Sequence, residues 1–202
     1  MSKTRWLLLD MGKVLVDFDF RNLSRRMQAL AGLESAPLQA AFMDKNLALR
    51  YEAGELSDAE FHQEICRRLG RSILFRDFAD AWNSIFLPEP LLPDELLAAL
   101  AGNVDLWVLS NTNGLHFTYI LEHYTFTRHF KGFVVSFEAG SLKPDPRIFR
   151  YALRKAAASE AGTLFVDDAL PNVEAALRLG IDAFQFLGAG QFVRELSTRG
   201  LL

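Results

Sequence analysis

Four groups of polar residues lie directly after short apolar runs or in a loop, and their side chains are of the types that bind phosphate and hard metal ions. The groups are, in chain order, Asp10; Ser110, Asn111 and Thr112; Lys143; and Asp167 with Asp168. In an open parallel sheet, ligands bind at the carboxyl ends of the strands. If the apolar runs are neighbouring strands, three carboxylates, a hydroxyl, an amide and an ammonium group meet at one edge. The spacing therefore predicts a site for a metal ion and a phosphate, and hence an enzyme.

Each group has a simpler interpretation when it is taken alone. Asp10 could be a turn residue, and the polar residues from Ser110 could do no more than cap the next helix. Lys143 could be an exposed loop lysine. Adjacent carboxylates such as Asp167 and Asp168 repel each other, so a site that holds both usually supplies a cation, and Mg²⁺ suits oxygen ligands. The occurrence of all four groups in this order favours the functional interpretation.

The elements that must position these groups alternate through the second part of the chain. Strands are predicted at about 5–10, 105–109, 133–136, 163–167 and 182–187, and helices at about 93–100, from 114, at 146–158 and at 171–180. Strands that alternate with helices predict right-handed crossovers and a parallel sheet covered on both faces. The predicted fold class is therefore α/β, with a Rossmann-like, doubly wound core.

The segment between the first strand and the rest of this core has a helical pattern throughout. Apolar residues recur at helical spacing, for example at Phe61, Ile65 and Leu69. Ser57 and Glu60 predict an N-cap with a capping box. No strand is predicted in this block. We therefore expect a core of residues 1–16 and 88–202 and an inserted small α-helical bundle of residues 17–87.

Composition restricts the classes of function. The chain has 202 residues, half of them hydrophobic, and a formal net charge of −3, which argues against a nucleic-acid binder with a broad basic surface. No apolar run is long enough to cross a bilayer, and the N-terminus lacks the apolar region of a signal peptide. The single cysteine, Cys66, suits a reducing compartment. We expect a cytoplasmic protein without nucleic-acid or membrane partners.

Taken together, the four groups resemble the four motifs of haloacid dehalogenase superfamily hydrolases, and the resemblance extends over essentially the whole chain. The helical block resembles the cap that subfamily I members carry after the first motif. Segments 10–19, 51–57, 81–83 and 110–113 are similar to those of bacterial sugar-phosphate phosphatases, including enzymes that act on α-glucose 1-phosphate. The resemblance implies a Mg²⁺-dependent phosphatase for a small soluble phosphate ester.

The resemblance also implies roles for the matching residues. Asp10 would be the nucleophile that forms an aspartyl-phosphate, which water then hydrolyses. Lys143 would bridge Asp10 and the phosphate. Ser110 and the backbone around Asn111 would bind the phosphoryl group that is transferred.

The implied metal site uses the same edge of the sheet. Mg²⁺ would be ligated by Asp10, the backbone carbonyl of Gly12 and Asp167, with Asp168 ligating it directly or through water. Asn172, in the helix after the fourth motif, would support these ligands.

One position departs from the commoner pattern of the superfamily. Gly12 stands where a second aspartate usually acts as general acid and base, a contribution worth about 10²–10⁴-fold in rate. Asp17 or Asp19 could substitute for it, or could instead cap the start of the next helix. Lys13 could add positive charge near the phosphate or point to solvent. The resembling bacterial subgroup also has glycine at this position, so activity is compatible with it.

Two other functions remain open at this stage. The chain could be a non-catalytic regulator that binds a phosphate ligand and has lost turnover with the missing acid. It could also be a 2-haloacid dehalogenase, since those enzymes lack the second aspartate as well. A metal-free dehalogenase has no need of the tandem acids Asp167 and Asp168, which favours the phosphatase.

Overall fold

The computed structural model describes residues 4–42 and 44–202, apart from the side chains of residues 35–37 and 39; residues 1–3 of the predicted core and residue 43 of the predicted cap lie outside it. The strands are β1 (Trp6–Leu9), β2 (Val16–Phe18), β3 (Phe86–Pro90), β4 (Asp105–Ser110), β5 (Gly132–Val135), β6 (Thr163–Asp167) and β7 (Asp182–Gln185). The helices of the first half are α1 (Phe20–Ala31), α2 (Ser35–Phe42), α3 (Lys45–Glu52), α4 (Asp58–Leu69) and α5 (Phe75–Asn83). Those of the second half are α6 (Asp94–Ala101), α7 (Gly114–His123), α8 (Ser136–Ala139), α9 (Pro146–Lys155), α10 (Leu170–Arg178) and α11 (Ala189–Thr198).

A five-stranded parallel sheet forms the centre of the core, in the order β5-β4-β1-β6-β7. Strand β1 is in the middle because both of its faces are apolar, as a strand covered on both sides requires. Leu7 and Leu9 are buried against the helices on one face, and Leu8 is buried on the other. The predicted α/β, doubly wound fold is confirmed.

Helices α1 to α5 form the cap and have a hydrophobic cluster of their own. The buried stripe of α4 consists of Phe61, Ile65 and Leu69, at the spacing that predicted the helix. The capping box of Ser57 and Glu60 is formed. Across the described residues, no helix has the length and apolarity needed to cross a membrane.

Two features of the fold were not predicted. β2 and β3 form an antiparallel ribbon at the base of the cap, where the sequence pattern predicted no strand. Its strands are short and one carries Pro88 and Pro90, which fit an edge strand but weaken the local strand signal. The ribbon straddles both predicted cap boundaries, so the exact limits 17–87 stay a prediction. The C-terminal helix α11 is also absent from the sequence predictions; Phe192 and Leu196 bury its inner face.

The loop after α3 presses the cap against the core. Gly54 has a left-handed backbone, with a φ of 76°, and a Cβ atom added there would lie 2.1 Å from the carbonyl oxygen of Phe137 in α8. Only glycine allows this approach of two backbones. The end of α3 is therefore held at a fixed position over the core.

Replacing Gly54 with alanine tests this contact. A side chain there has two costs, which are backbone strain at a positive φ and the clash with the Phe137 backbone. Gly70, which ends α4, has a similar φ of 60° but nothing within 4 Å of an added Cβ, so Gly70→Ala is the matched control. We expect Gly70→Ala to lower the free energy of unfolding by about 1 kcal/mol through backbone strain alone. Gly54→Ala should cost about 1–3 kcal/mol more, because the backbones must also separate. Urea denaturation measures both, and equal losses would contradict the contact.

Candidate active site

The sheet brings the sequence-predicted residues to one edge. Asp10 follows the central strand β1, while Ser110 and Asp167 end its two neighbours, β4 and β6. Asp10, Asp167 and Asp168 each offer a carboxylate oxygen, and these oxygens lie within 4.8 Å of one another. The predicted convergence of the four groups is therefore observed.

Lys143 is at the centre of this edge. Its side chain is 1% exposed, and its Nζ lies 2.7 Å from Asp10 Oδ1 and 2.6 Å from Asp167 Oδ2. The same Nζ donates to the backbone carbonyl of Leu109 at 2.8 Å. All three donor positions of the ammonium group are thus used within the protein.

Burial and the neighbouring opposite charges shift the pKa values of Asp10 and Lys143 in opposite directions. Burial raises the pKa of Asp10 to about 7, although the nearby Lys143 ammonium lowers it. Burial alone would lower the pKa of Lys143, but Asp10 and Asp167 outweigh it and raise that pKa. Burial, followed by the charge of Asp167, also raises the pKa of Asp168. Three carboxylates facing one ammonium leave an excess of negative charge that a divalent cation would neutralise.

The three carboxylates differ in how many of their oxygens already accept hydrogen bonds. Asp167 accepts hydrogen bonds on both oxygens, from Lys143, from the Asn172 amide and from the backbone N–H of Ala169. Asp10 Oδ1 accepts from Lys143 and from the Met11 N–H, whereas its Oδ2 accepts from no described residue. Within the described chain, the Asp168 carboxylate has no cation or donor side chain in contact. Open oxygens thus remain on Asp10 and Asp168.

The loop after β4 is held from two sides. The Asn111 side chain accepts from the Lys143 N–H at 2.8 Å and donates to the Lys143 carbonyl at 2.9 Å. The Ser136 hydroxyl accepts from the Thr112 N–H and donates to the Thr112 carbonyl. The Asn111 amide is thus bound to the Lys143 backbone, so a phosphate contact by this residue rests on its backbone, as first expected. Ser136 was not predicted, because no sequence pattern links it to a loop 24 residues earlier.

The expected substitutes for the missing aspartate at position 12 are engaged in other contacts. An added Cβ would lie 3.1 Å from the Phe18 ring, so a side chain at position 12 would require that ring to shift. Asp17 pairs with Lys13, and this hydrogen bond lowers the pKa of Asp17. Asp19 caps α1 and pairs with Arg21, which lowers its pKa to about 2. Lys13 is thus engaged with Asp17, and Asp19 has the capping role.

A cavity of about 260 Å³ lies between the cap and the carboxyl edge of the sheet. Its core side includes Met11, Gly12 and the loop 110–113. Its cap side consists mainly of aromatic side chains together with one carboxylate: Phe18, Phe20, Phe42, Tyr51, Trp82, Phe86 and Glu52. Phe42, Tyr51 and Trp82 also pack on cap neighbours, so these residues both line the cavity and belong to the cap core.

The cap residue Trp82 contacts two core residues, Asn113 in the loop after β4 and His116 in α7. Trp82 Nε1 donates to Asn113 Oδ1 at 3.3 Å, and its ring stacks on His116 at 4.9 Å. His116 Nδ1 lies 3.1 Å from the Asn113 amide nitrogen and its Nε2 lies 3.3 Å from the Trp82 carbonyl. Burial lowers the pKa of His116 to about 4, so it is neutral at pH 7. Asn113, His116 and Glu52 line the cavity, and the sequence analysis did not single them out as candidate site residues.

Comparison with known families agrees with this geometry. A family model described as haloacid dehalogenase-like hydrolase matches residues 4–180. The chain belongs to the haloacid dehalogenase-like hydrolases. The hydrolase is 25% identical over 199 residues to a D-ribitol-5-phosphate phosphatase from Bacteroides thetaiotaomicron, covering 95% of this chain and 96% of that protein.

Solved structures of this family have the same fold. A HAD family enzyme from Bacteroides thetaiotaomicron, in its magnesium complex, superposes with a TM-score of 0.81 at 25% identity, over 97% of this chain and 99% of that one. A predicted HAD-like family hydrolase from Porphyromonas gingivalis gives a TM-score of 0.80 at 25% identity, over 98% of both chains. The similarity therefore includes the cap as well as the core.

The charge cluster around Lys143 predicts a large effect of one substitution on stability. Lys143→Met removes the ammonium and leaves Asp10 and Asp167 buried without a cation. In EDTA at pH 8 we expect the free energy of unfolding to fall by about 3–5 kcal/mol. Lys155, which contacts Glu138 at the surface, provides the matched control, since Lys155→Met should cost about 0–1 kcal/mol.

The same comparison at lower pH tests the cause. Below the pKa of about 7 that Asp10 has in the intact site, protonation neutralises this carboxyl group, so the effect of Lys143→Met should shrink. Urea denaturation at pH 8 and pH 5 measures the difference. A loss no larger than that of Lys155→Met would show that the buried ion pairs contribute little.

Proposed function

We propose that this hydrolase is a Mg²⁺-dependent phosphatase that acts on a small phosphate ester, with a sugar or sugar alcohol as its alcohol part. The observation that carries the proposal is the placement of Asp10. Its Oδ1 is fixed by Lys143, its Oδ2 is open, and the next two residues line the cavity under the cap. A carboxylate held in this way suits in-line attack on phosphorus, which yields an aspartyl-phosphate.

The groups around Asp10 suit a phosphoryl group. Ser110 and the loop that follows it line the cavity just before the N-terminus of α7, a favourable position for an anion. Lys143 holds the Asp10 carboxylate through Oδ1 and adds positive charge beside the site of attack. Because phosphoryl transfer depends mainly on positioning and charge neutralisation, a rigid loop and a fixed ammonium group are the devices it needs.

The residues of this edge also fit Mg²⁺. Asp10, Asp167 and Asp168 each place a carboxylate oxygen within 4.8 Å of the others, and the Gly12 carbonyl accepts no backbone hydrogen bond from the described residues. Asp167 completes the acidic set and is oriented by Asn172. When bound, Mg²⁺ would neutralise charge on the phosphate oxygens, which is the common use of this ion in phosphoryl transfer. A similar enzyme has been solved as a magnesium complex.

The cavity suits a small substrate that has both polar and apolar surface. Its volume of about 260 Å³ and its aromatic walls suit the carbon skeleton of a sugar or sugar alcohol, whose hydroxyl groups need a few polar partners. One relative of the chain is named for activity on D-ribitol 5-phosphate. This points to a pentose- or hexose-sized alcohol rather than a macromolecular substrate.

Phosphate release from a panel of esters tests the proposal. The panel contains ribitol 5-phosphate, sugar 1-phosphates, sugar 6-phosphates and p-nitrophenyl phosphate, each with Mg²⁺ or EDTA. We expect release with Mg²⁺ only, and its loss in Asp10→Asn, because an amide is a poor nucleophile toward phosphorus. Asp80→Asn, at an exposed cap position, is the matched control and should retain full activity.

The alternatives have distinct outcomes in the same experiment. Phosphate binding without release from any ester, in folded protein with Mg²⁺, would replace the phosphatase with a phosphate-binding regulator. Halide release from 2-chloropropionate that persists in EDTA would replace it with a dehalogenase.

A further inference from the structure

Hydrolysis of an alkyl phosphate needs a proton donor, and the first motif of this chain does not contain one. An alkoxide is a poor leaving group, so the oxygen must be protonated as its bond to phosphorus breaks. Gly12 has no side chain, and the Phe18 ring fills the adjacent space. The following inference rests on the proposed phosphatase function and asks which residue supplies the proton.

The titratable side chains that line the cavity are Tyr51, Glu52 and His116. Tyr51 donates its hydroxyl to Asp58 at 2.7 Å, and burial raises the pKa of Tyr51 far above neutrality. His116 uses both ring nitrogens in contacts with Asn113 and Trp82, and it is neutral. Neither side chain is available to exchange a proton with a substrate.

Glu52 is different, because nothing in the fold accounts for its carboxyl group. It is half-buried at the last position of α3, where the helix dipole disfavours a negative charge. Among the described residues, no cation and no hydrogen-bond donor is placed against its carboxylate. Burial raises its pKa, which favours the protonated form in the free enzyme.

The position of Glu52 is fixed from both sides. The preceding residue, Tyr51, is buried in the cap and bonded to Asp58. Two residues later, Gly54 presses on the backbone of Phe137, next to the Ser136 that holds the loop after β4. The carboxyl group is therefore held over the same cavity whose opposite wall carries Gly12 and Ser110.

The direction of the reaction places the leaving oxygen on this side. In an in-line displacement the leaving group departs opposite the nucleophile. Asp10 lies at the edge of the sheet, so the ester oxygen points into the cavity and toward the cap. Glu52 is the uncommitted acid that lines that space among the residues described.

We infer that Glu52 of the cap is the general acid, and then the general base, of this phosphatase. As Asp10 Oδ2 bonds to phosphorus, the bond between phosphorus and the ester oxygen breaks, and the Glu52 proton moves to that oxygen to release the alcohol. Glu52, now a carboxylate, accepts a proton from water as the water oxygen bonds to phosphorus. The bond from phosphorus to Asp10 breaks, which releases phosphate and restores both carboxyl groups.

The dependence on the leaving group tests this role. Glu52→Gln keeps size and polarity but cannot give up a proton as a carboxyl group does. We expect kcat/KM for ribitol 5-phosphate or another alkyl phosphate that the wild type hydrolyses to fall about 10²–10⁴-fold. For p-nitrophenyl phosphate, whose phenolate leaves without protonation, the fall should be less than about tenfold, since the acid contribution is then small.

A second measurement tests the role as base. With p-nitrophenyl phosphate, Glu52→Gln should release one equivalent of p-nitrophenol in a burst and then turn over slowly, because hydrolysis of the aspartyl-phosphate lacks its base. Glu52→Asp should restore part of the lost activity. Glu55→Gln is the matched control: Glu55 lies in the loop that follows α3, is exposed and pairs with Arg50, so full activity is expected.

Three results with an active wild type would overturn the inference. An equal fall with alkyl and aryl esters would assign Glu52 to substrate binding or structure, as would a change in KM alone. Activity of Glu52→Gln equal to that of Glu55→Gln would exclude any role. If the wild type hydrolyses no ester, the proposed function fails instead, and the inference fails with it.

Discussion

The buried ammonium group of Lys143 is the constraint on which the rest of the site depends. Removing an ammonium group and two carboxylates from water costs several kcal/mol for each charge, and only close pairing offsets this cost. Lys143 meets it with Asp10, Asp167 and the Leu109 carbonyl. These partners come from the ends of three adjacent strands, β4, β1 and β6. The ion pairs therefore depend on the order of the strands in the sheet.

The charge cluster also explains why the surrounding loops carry so many side-chain to backbone hydrogen bonds. Asn111 fixes the backbone of Lys143, and Ser136 fixes the loop in front of α7. A displacement of either loop would separate charges that are buried and unscreened. The hydrogen bonds that keep these loops rigid would therefore also hold a phosphoryl group in a fixed position.

The cap supplies what the core lacks. Its aromatic side chains close the cavity, and its contact at Gly54 sets the distance between α3 and the sheet edge. The glycine at position 12 removes a carboxyl group from the core side, while Glu52 brings one to the cap side. The polar groups that line the cavity of this hydrolase thus come from two units that the β2-β3 ribbon joins.

The sequence by itself determined the core strands, the polar residues at their ends and the helical nature of the cap. These features depend on local patterns: apolar runs, helical spacing, and polar residues directly after strands. The tertiary structure alone decided the ribbon, the binding of Asn111 to Lys143, and the place of Glu52 at the cavity. Each of these depends on which side-chain partner is nearest in space or on pairing between distant segments, and neither is encoded in a local pattern.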